Sequence, residues 1–256
     1  MENFVISLKS ATDRRIHIEE QFGKKAIAFE FFDAIEPHKI DLIADSLKIN
    51  INNCSLSEGE IGCLLSHVSL WKKAFDENID YIAIFEDDIY LSKDAHFFLS
   101  KSDWINHNVD FIKIEKTIDS VLLSLDKINI EFNKYILSNL RCYHLGTGGY
   151  ILSNKAARDL YQYVLNLDRL DHIDQIMFKF YFNEGSLSIY QINPALCIQD
   201  CILNPTHQKF NSTLQWRKNV RIKQKISILK KMQRELLRIY SRLTQIPFRV
   251  KLIIRL

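Results

Sequence analysis

Glycine and proline are scarce, with seven and four in 256 residues. No low-complexity linker and no internal repeat is present, and 47% apolar with 25% charged residues excludes a disordered or fibrous chain. No run of eighteen apolar residues exists, so no spanning helix is expected. The first residues lack a basic region, a long apolar core and a small-residue cleavage site, so no signal peptide is expected. The five cysteines (Cys54, Cys63, Cys142, Cys197, Cys201) have neither CxxC pairing nor zinc spacing. They read as free, mostly buried thiols of a reducing cytoplasm. Acidic residues are the last shortage, and it is local. Residues 216–256 hold 13 Lys+Arg against one Asp+Glu, whereas residues 1–215 hold 21 against 30. The net charge of +3 is thus a sum of −9 and +12, an acidic body with a basic tail.

The 256-residue chain is long enough for one large domain or two small ones. Phe4-Val5-Ile6-Ser7-Leu8 reads as a buried strand, followed by a turn and a helix carrying Arg14, Arg15, Ile18 and Phe22. Residues 26–32 read as a strand and 40–49 as a helix. Ser57-Glu58-Gly59-Glu60 opens the clearest helix, with Ile61, Leu64, Leu65, Val68, Trp71 and Phe75 at helical spacing. Residues 81–85 form a short apolar strand. Further strands are expected at 110–115, 121–125 and 188–192, with helices at 153–167 and 174–183; residues 128–137 are ambiguous. Strands alternating with helices predict an α/β sandwich around a mostly parallel sheet, with ligands beyond the carboxyl ends of the strands.

That is where Glu86-Asp87-Asp88 falls, directly after the apolar strand. Three adjacent carboxylates repel one another unless a cation is near. They suit Mg²⁺ or Mn²⁺ held by one or two carboxylates plus substrate phosphates; a solvated acidic turn is the plain alternative. Five glycines cluster at Gly59/Gly62 and in Gly146-Thr147-Gly148-Gly149-Tyr150. Helix packing explains the first pair. The second run, before a helix, predicts backbone N–H groups offered to a phosphate or sugar. Glu60 and His67 share one helix face, although Ser57-x-x-Glu60 is also a capping box and His67 a candidate interfacial histidine. In Asp171-His172-Ile173-Asp174 the aspartates are candidate bases, or a cap and a first-turn acid.

Four stretches in order resemble glycosyltransferase family 25. They are Val5-Ile6-Ser7-Leu8 with Asp13-Arg14-Arg15; Leu56-Ser57-Glu58-Gly59-Glu60-Ile61-Gly62-Cys63 with Ser66-His67; Phe85-Glu86-Asp87-Asp88-Ile89; and residues 146–150 with Ile151-Leu152-Ser153. The resemblance spans about residues 1–200. It implies a GT-A-type fold, a Rossmann-like mixed sheet flanked by helices, over residues 1–215. It also implies inverting transfer of galactose or glucose from a UDP-sugar to a lipooligosaccharide glycan, with Mn²⁺ or Mg²⁺. Asp88 would be the main metal ligand, with Glu86 and His207 as further ligands. Glu86, Asp87, Arg14, Gly148, Gly149 and Tyr150 would face the nucleotide or donor, and Glu60 and His67 would contact the acceptor or stand directly behind the residues that do. Asp174, then Asp171, would be the base. A catalytically silent nucleotide-sugar or glycan binding module is the alternative.

Ile222, Ile226, Leu229, Met232, Leu236, Ile239, Leu243 and Ile246 recur every three or four residues among Lys and Arg. Residues 216–256 therefore read as a basic amphipathic helical tail, whose helix ends at Pro247 and is followed by a short apolar-basic end, Phe248 to Leu256. An anionic membrane surface is its first expected partner. The chain's own body or a second subunit, as in a homodimer, comes next. Nucleic acid is disfavoured because the body bearing the motifs is acidic. The expected location is cytoplasmic, peripheral to the cytoplasmic face of the bacterial inner membrane, where a lipid-linked acceptor is presented.

Overall fold

The structure is a computed structural model that describes residues 1–52, 54–130, 134–210 and 244–256. In chain order the elements are β1 (Glu2–Ser7), α1 (Thr12–Gly23), β2 (Glu30–Asp33), α2 (Ile40–Ser46), α3 (Glu58–Asp76), β3 (Tyr81–Glu86), β4 (Ile89–Leu91), α4 (Ala95–Leu99), β5 (Phe111–Lys113), β6 (Ser120–Leu122), β7 (Ile128–Ile130), β8 (Tyr135–Asn139), β9 (Gly149–Ser153) and α5 (Asn154–Leu165). Then α6 (Ile173–Gln175) continues through a π-helical stretch, Ile176–Tyr181, into α7 (Phe182–Glu184). Strands β10 (Ile189–Asn193) and β11 (Cys197–Gln199), helix α8 (Asp200–Leu203) and strand β12 (Arg249–Lys251) complete the set.

Eight strands form one sheet in the order β2-β1-β3-β9-β5-β10-β8-β7. The β1–β2, β1–β3 and β5–β10 pairs are parallel, and β9 runs antiparallel between β3 and β5. This is the mixed, Rossmann-like α/β sheet expected. Alternation along the strands divides two cores. Phe4, Ile6, Ile82, Ile84, Tyr150 and Leu152 pack on one face with α3 and α5 residues such as Leu64, Trp71 and Leu160. Val5, Ala83, Phe85, Ile112 and Ile151 pack on the other with Ile18, Phe22 and Phe98. Both faces are covered, which is why these strands read as unbroken apolar runs.

Helix α3 starts where the capping box predicted. Ser57 accepts from Glu60 N–H, and the Glu60 side chain accepts from Ser57 N–H at 2.6 Å. Ser153 caps α5 by accepting from Ala156 N–H at 3.1 Å. The parallel register of β1 with β3, Ile6 opposite Glu86, brings Ser7 and the acidic triplet to one edge of the sheet. Strand β11 pairs antiparallel with β4 and sets Gln199 opposite Ile89, beside the triplet.

The ambiguous stretch resolves into β7 and β8, an antiparallel pair. The expected strand at 26–32 shortens to β2. Residues 211–243, and with them most of the expected helical tail, lie outside the described residues. The apolar-basic end after Pro247 forms a strand: β12 pairs antiparallel with β6, Val250 opposite Val121, and Leu252 is fully buried. Backbone bonds from Leu252 N to Asp119 O (2.9 Å), Ala195 N to Ile253 O (2.7 Å) and Lys93 N to Arg255 O (2.7 Å) tie residues 252–255 to the body. An apolar segment beside an unpaired strand edge satisfies its backbone best by extending along that edge. No helix among the described residues is long and apolar enough to cross a membrane.

Candidate active site

The three triplet carboxylates have three different environments. Asp87 is buried, accepts from Ser7 Oγ at 2.7 Å and pairs with the Arg14 guanidinium, which lies 5.4 Å from the Phe210 ring centroid. Glu86 and Asp88 share one donor. Gln199 Nε2 donates to Glu86 Oε2 at 2.9 Å and to Asp88 Oδ1 at 3.2 Å. Thr147 Oγ1 donates to the other Glu86 oxygen. Burial, then the charge of Asp88, pushes Glu86 above the usual carboxylate range. Burial also raises Asp88, with Arg14 opposing. Buried Asp200 fixes the far side: its N–H donates to Asp88 O (2.8 Å), while its carboxylate accepts from Asn204 Nδ2 (2.8 Å), Phe210 N (3.0 Å) and Tyr90 OH (3.2 Å).

Behind the triplet lies a buried ion pair. Lys113 and Glu115 are both fully buried and 3.1 Å apart. Lys113 also donates to Gly146 O, and Glu115 Oε2 accepts from Gly148 N–H at 3.1 Å. Burial raises Glu115, with the Lys113 charge opposing. The glycine run therefore does not offer Gly148 N–H to a phosphate, contrary to the sequence expectation. Its glycines serve close approach. A Cβ on Gly148 would lie 2.7 Å from Glu115 Oε1 and from Gln199 Cγ, and one on Gly149 would lie 2.3 Å from Cys197 Sγ. Gly146 has φ +102°, the left-handed region that favours glycine. Gly149 and Tyr150 sit in β9, not in a loop, and Tyr150 is fully buried.

Tyr150 OH accepts from Trp71 Nε1 at 2.9 Å and lies 2.8 Å from His67 Nδ1. His67 is fully buried, and burial lowers it to about 3, so its ring is neutral. It faces Glu86, Nε2 to Oε1 4.0 Å, from inside the core, which removes it from contact with an acceptor. Glu60 is also buried. One oxygen completes the capping box and the other lies 3.6 Å from His172 Nδ1. The charges of Glu86, Asp174, Glu60 and Asp87 all reach Cys63 and, after burial itself, raise its thiol. Helix α3, which carries Glu60 and Cys63, packs against α6, with Glu60 facing His172. Asp171 and Asp174 are half-buried at the start of α6, and Asp171 Oδ1 accepts from His172 N–H at 2.7 Å.

His207 is exposed on the turn after Asn204, whose side chain is tied back to Asp200. It is not gathered with Glu86 and Asp88, and no cluster of three His, Cys, Asp or Glu suited to a metal occurs among the described residues. Two raised carboxylates sharing a single amide do fit a hard divalent cation that draws its remaining ligands from substrate phosphates and water. Sequence reasoning missed Glu115, Lys113, Gln199, Thr147 and Ser7. Lys113 and Glu115 carry a signal, opposite charges two apart on one face of an otherwise apolar strand. Gln199 carries none, because its partners are more than 110 positions away.

Residues 1–177 match the family model Glycosyltransferase family 25 (LPS biosynthesis protein). The lacto-N-neotetraose biosynthesis glycosyltransferase LgtE of Neisseria meningitidis serogroup B is 38% identical over 214 residues, 78% of this chain and 74% of that protein. The lipooligosaccharide biosynthesis protein lic2B of Haemophilus influenzae is 34% identical, across 94% of this chain and 95% of that protein. Among solved structures, a glycosyltransferase involved in glycosylation of the major capsid of PBCV-1 aligns at a TM-score of 0.42 and 8% identity, over 78% of this chain and 92% of that one. The chain belongs to glycosyltransferase family 25.

Proposed function

We propose that this glycosyltransferase of lipooligosaccharide biosynthesis transfers a hexose with inversion, galactose first and glucose second, from a UDP-sugar to a lipid-linked oligosaccharide. The observation that carries the reading is the pair Glu86 and Asp88, both raised and joined by one Gln199 amide at the carboxyl end of β3. That pair would hold Mn²⁺ or Mg²⁺, which when bound supplies charge stabilisation to the departing diphosphate. Ser7 and Arg14 hold Asp87 in place, and Arg14 adds positive charge beside the nucleotide site. Asp174, with Asp171 second, accepts the acceptor hydroxyl's proton as that oxygen attacks. Names of relatives agree with the acceptor class, since LgtE and lic2B are lacto-N-neotetraose and lipooligosaccharide biosynthesis proteins.

The test is transfer from UDP-hexoses with Mn²⁺. Asp88→Ala should lower kcat/KM by about 100-fold or more at an unchanged melting temperature. Full activity in that variant, or in EDTA, overturns the metal-dependent reading. Asp174→Asn should keep UDP binding and lose about 100-fold or more in kcat; unchanged turnover removes Asp174 from the mechanism.

The basic segment 216–256 is proposed to hold the enzyme on an anionic membrane surface, at the cytoplasmic face of the bacterial inner membrane. Its sequence charge of +12 supports this. Salt-sensitive binding of the full chain to vesicles containing anionic lipid is the expected result. Absence of binding at low salt leaves docking on the body or on a second copy as the better account.

A further inference from the structure

We infer that His67 is a positioning residue for Glu86: Tyr150 and Trp71 fix its ring with the hydrogen on Nε2, and that N–H is aimed at Glu86 Oε1. The indole nitrogen of Trp71 can only donate. It donates to Tyr150 OH at 2.9 Å. Tyr150 is fully buried, and its own hydroxyl hydrogen needs an acceptor. His67 Nδ1, 2.8 Å away, provides one only when it carries no hydrogen. The opposite tautomer would make Tyr150 accept twice and strand its hydrogen in the core. The ring hydrogen therefore sits on Nε2.

That nitrogen is buried without a hydrogen-bond partner among the described residues. Glu86 Oε1 is 4.0 Å from it. The gap is too long for a hydrogen bond and too short to admit a bridging water. Catalytic hydrogen bonds are often long in the ligand-free enzyme and tighten in the complex. Thr147 and Gln199 already hold Glu86 from two sides, and His67 supplies a third donor from the core. The chain Trp71–Tyr150–His67–Glu86 runs from the middle of α3, through β9, to the triplet. It converts core packing into the orientation of one carboxylate. It also gives His67 a task that its burial permits, where contact with substrate is not permitted.

This inference rests on the proposed role of Glu86, and two measurements separate the two. The first needs no ligand. A two-bond ¹H–¹⁵N correlation spectrum of histidine-labelled full chain, assigned by the signals lost in His67→Asn, should show His67 as the Nε2–H form. Tyr150→Phe should abolish that single form, and Glu86→Ala should shift the Nε2 resonance. An Nδ1–H pattern, or a resonance indifferent to Glu86→Ala, overturns the inference.

The second measurement is binding of UDP with Mn²⁺ by calorimetry. His67→Asn keeps an acceptor for Tyr150 but no donor for Glu86, and should bind about tenfold more weakly. His67→Gln places an amide N–H near the Nε2 position and should recover most of that loss. Equal affinities in both variants, whether intact or reduced, overturn positioning in favour of packing alone. Absence of UDP binding in the unmutated chain overturns the functional reading instead, and the spectrum still decides the tautomer and its link to Glu86.

Discussion

Gly149 illustrates how side-chain absence works in this molecule. It lies in β9 between β3 and β5, where a Cβ would come 2.3 Å from Cys197 Sγ and 3.3 Å from Ile114 and Phe85. Overpacking of that kind costs about 1–3 kcal/mol. Gly149→Ala should therefore lower the free energy of unfolding by about 2 kcal/mol in a denaturant titration. Adding Cys197→Ala removes the nearest atom. The double variant should be more stable than the sum of the singles predicts, by about 1 kcal/mol; strict additivity would show that the clash lies elsewhere. The clustering of glycines was legible in the sequence, but its cause was not. The atoms that crowd Gly148 and Gly149 belong to Glu115, Cys197 and Gln199, which no local pattern links to residue 149. Glu86, Asp87 and Asp88 were legible because they are adjacent and follow an apolar strand. The sharing of Gln199 between two of them appears only in three dimensions.

Elements with a strong local cause were readable, and those made by pairing alone were not. Helix α3 combines a capping box with sustained helical spacing, so its start was fixed to the residue. Strands β1 and β3 are apolar on both faces and stood out as runs. Strands β4, β11 and β12 are three residues long, too short for any period, and exist because a partner edge lies beside them. Strand β12 lies in the short apolar-basic end after Pro247, where three residues carry too little pattern to name a state. Its fixing point is Leu252, fully buried beside the β6 edge. Leu252→Ala should cost about 2–4 kcal/mol in chemical denaturation. A change below about 0.5 kcal/mol would show that residues 249–255 hang loosely on the body.

At the scale of the whole molecule, stability against acid depends on histidines that the fold keeps neutral. His17 packs against Tyr90 and Phe210 with Nε2 2.9 Å from Ile89 O, and burial lowers it below 6.5. His144 is lowered well below that value, first by burial and then by the Lys113 charge. Its hydrogen bonds explain why protonation is resisted. Gln191 donates through Nε2 to Glu115 O and Ile192 O, so its Oε1 accepts from His144 Nδ1–H at 2.8 Å. His144 Nε2 then accepts from Thr117 N–H at 3.3 Å. A second ring hydrogen would point at that N–H. The unfolded chain takes up a proton near pH 6.5 that the folded chain refuses, so stability is full above that pH and falls as pH drops below it. Glu86, Asp88 and Glu115, being raised, work in the opposite sense, since acid favours their folded, protonated forms. The two sets partly cancel in the unmutated protein, and only a difference between variants isolates the histidine. Unfolding free energies at pH 7, 6 and 5 should therefore fall more steeply in the unmutated chain than in His144→Gln. The difference in slope should approach about 1.4 kcal/mol per pH unit below pH 6, the linkage of one proton. Parallel curves would show that His144 is protonated in the folded state and that its contacts with Gln191 and Thr117 yield at no cost.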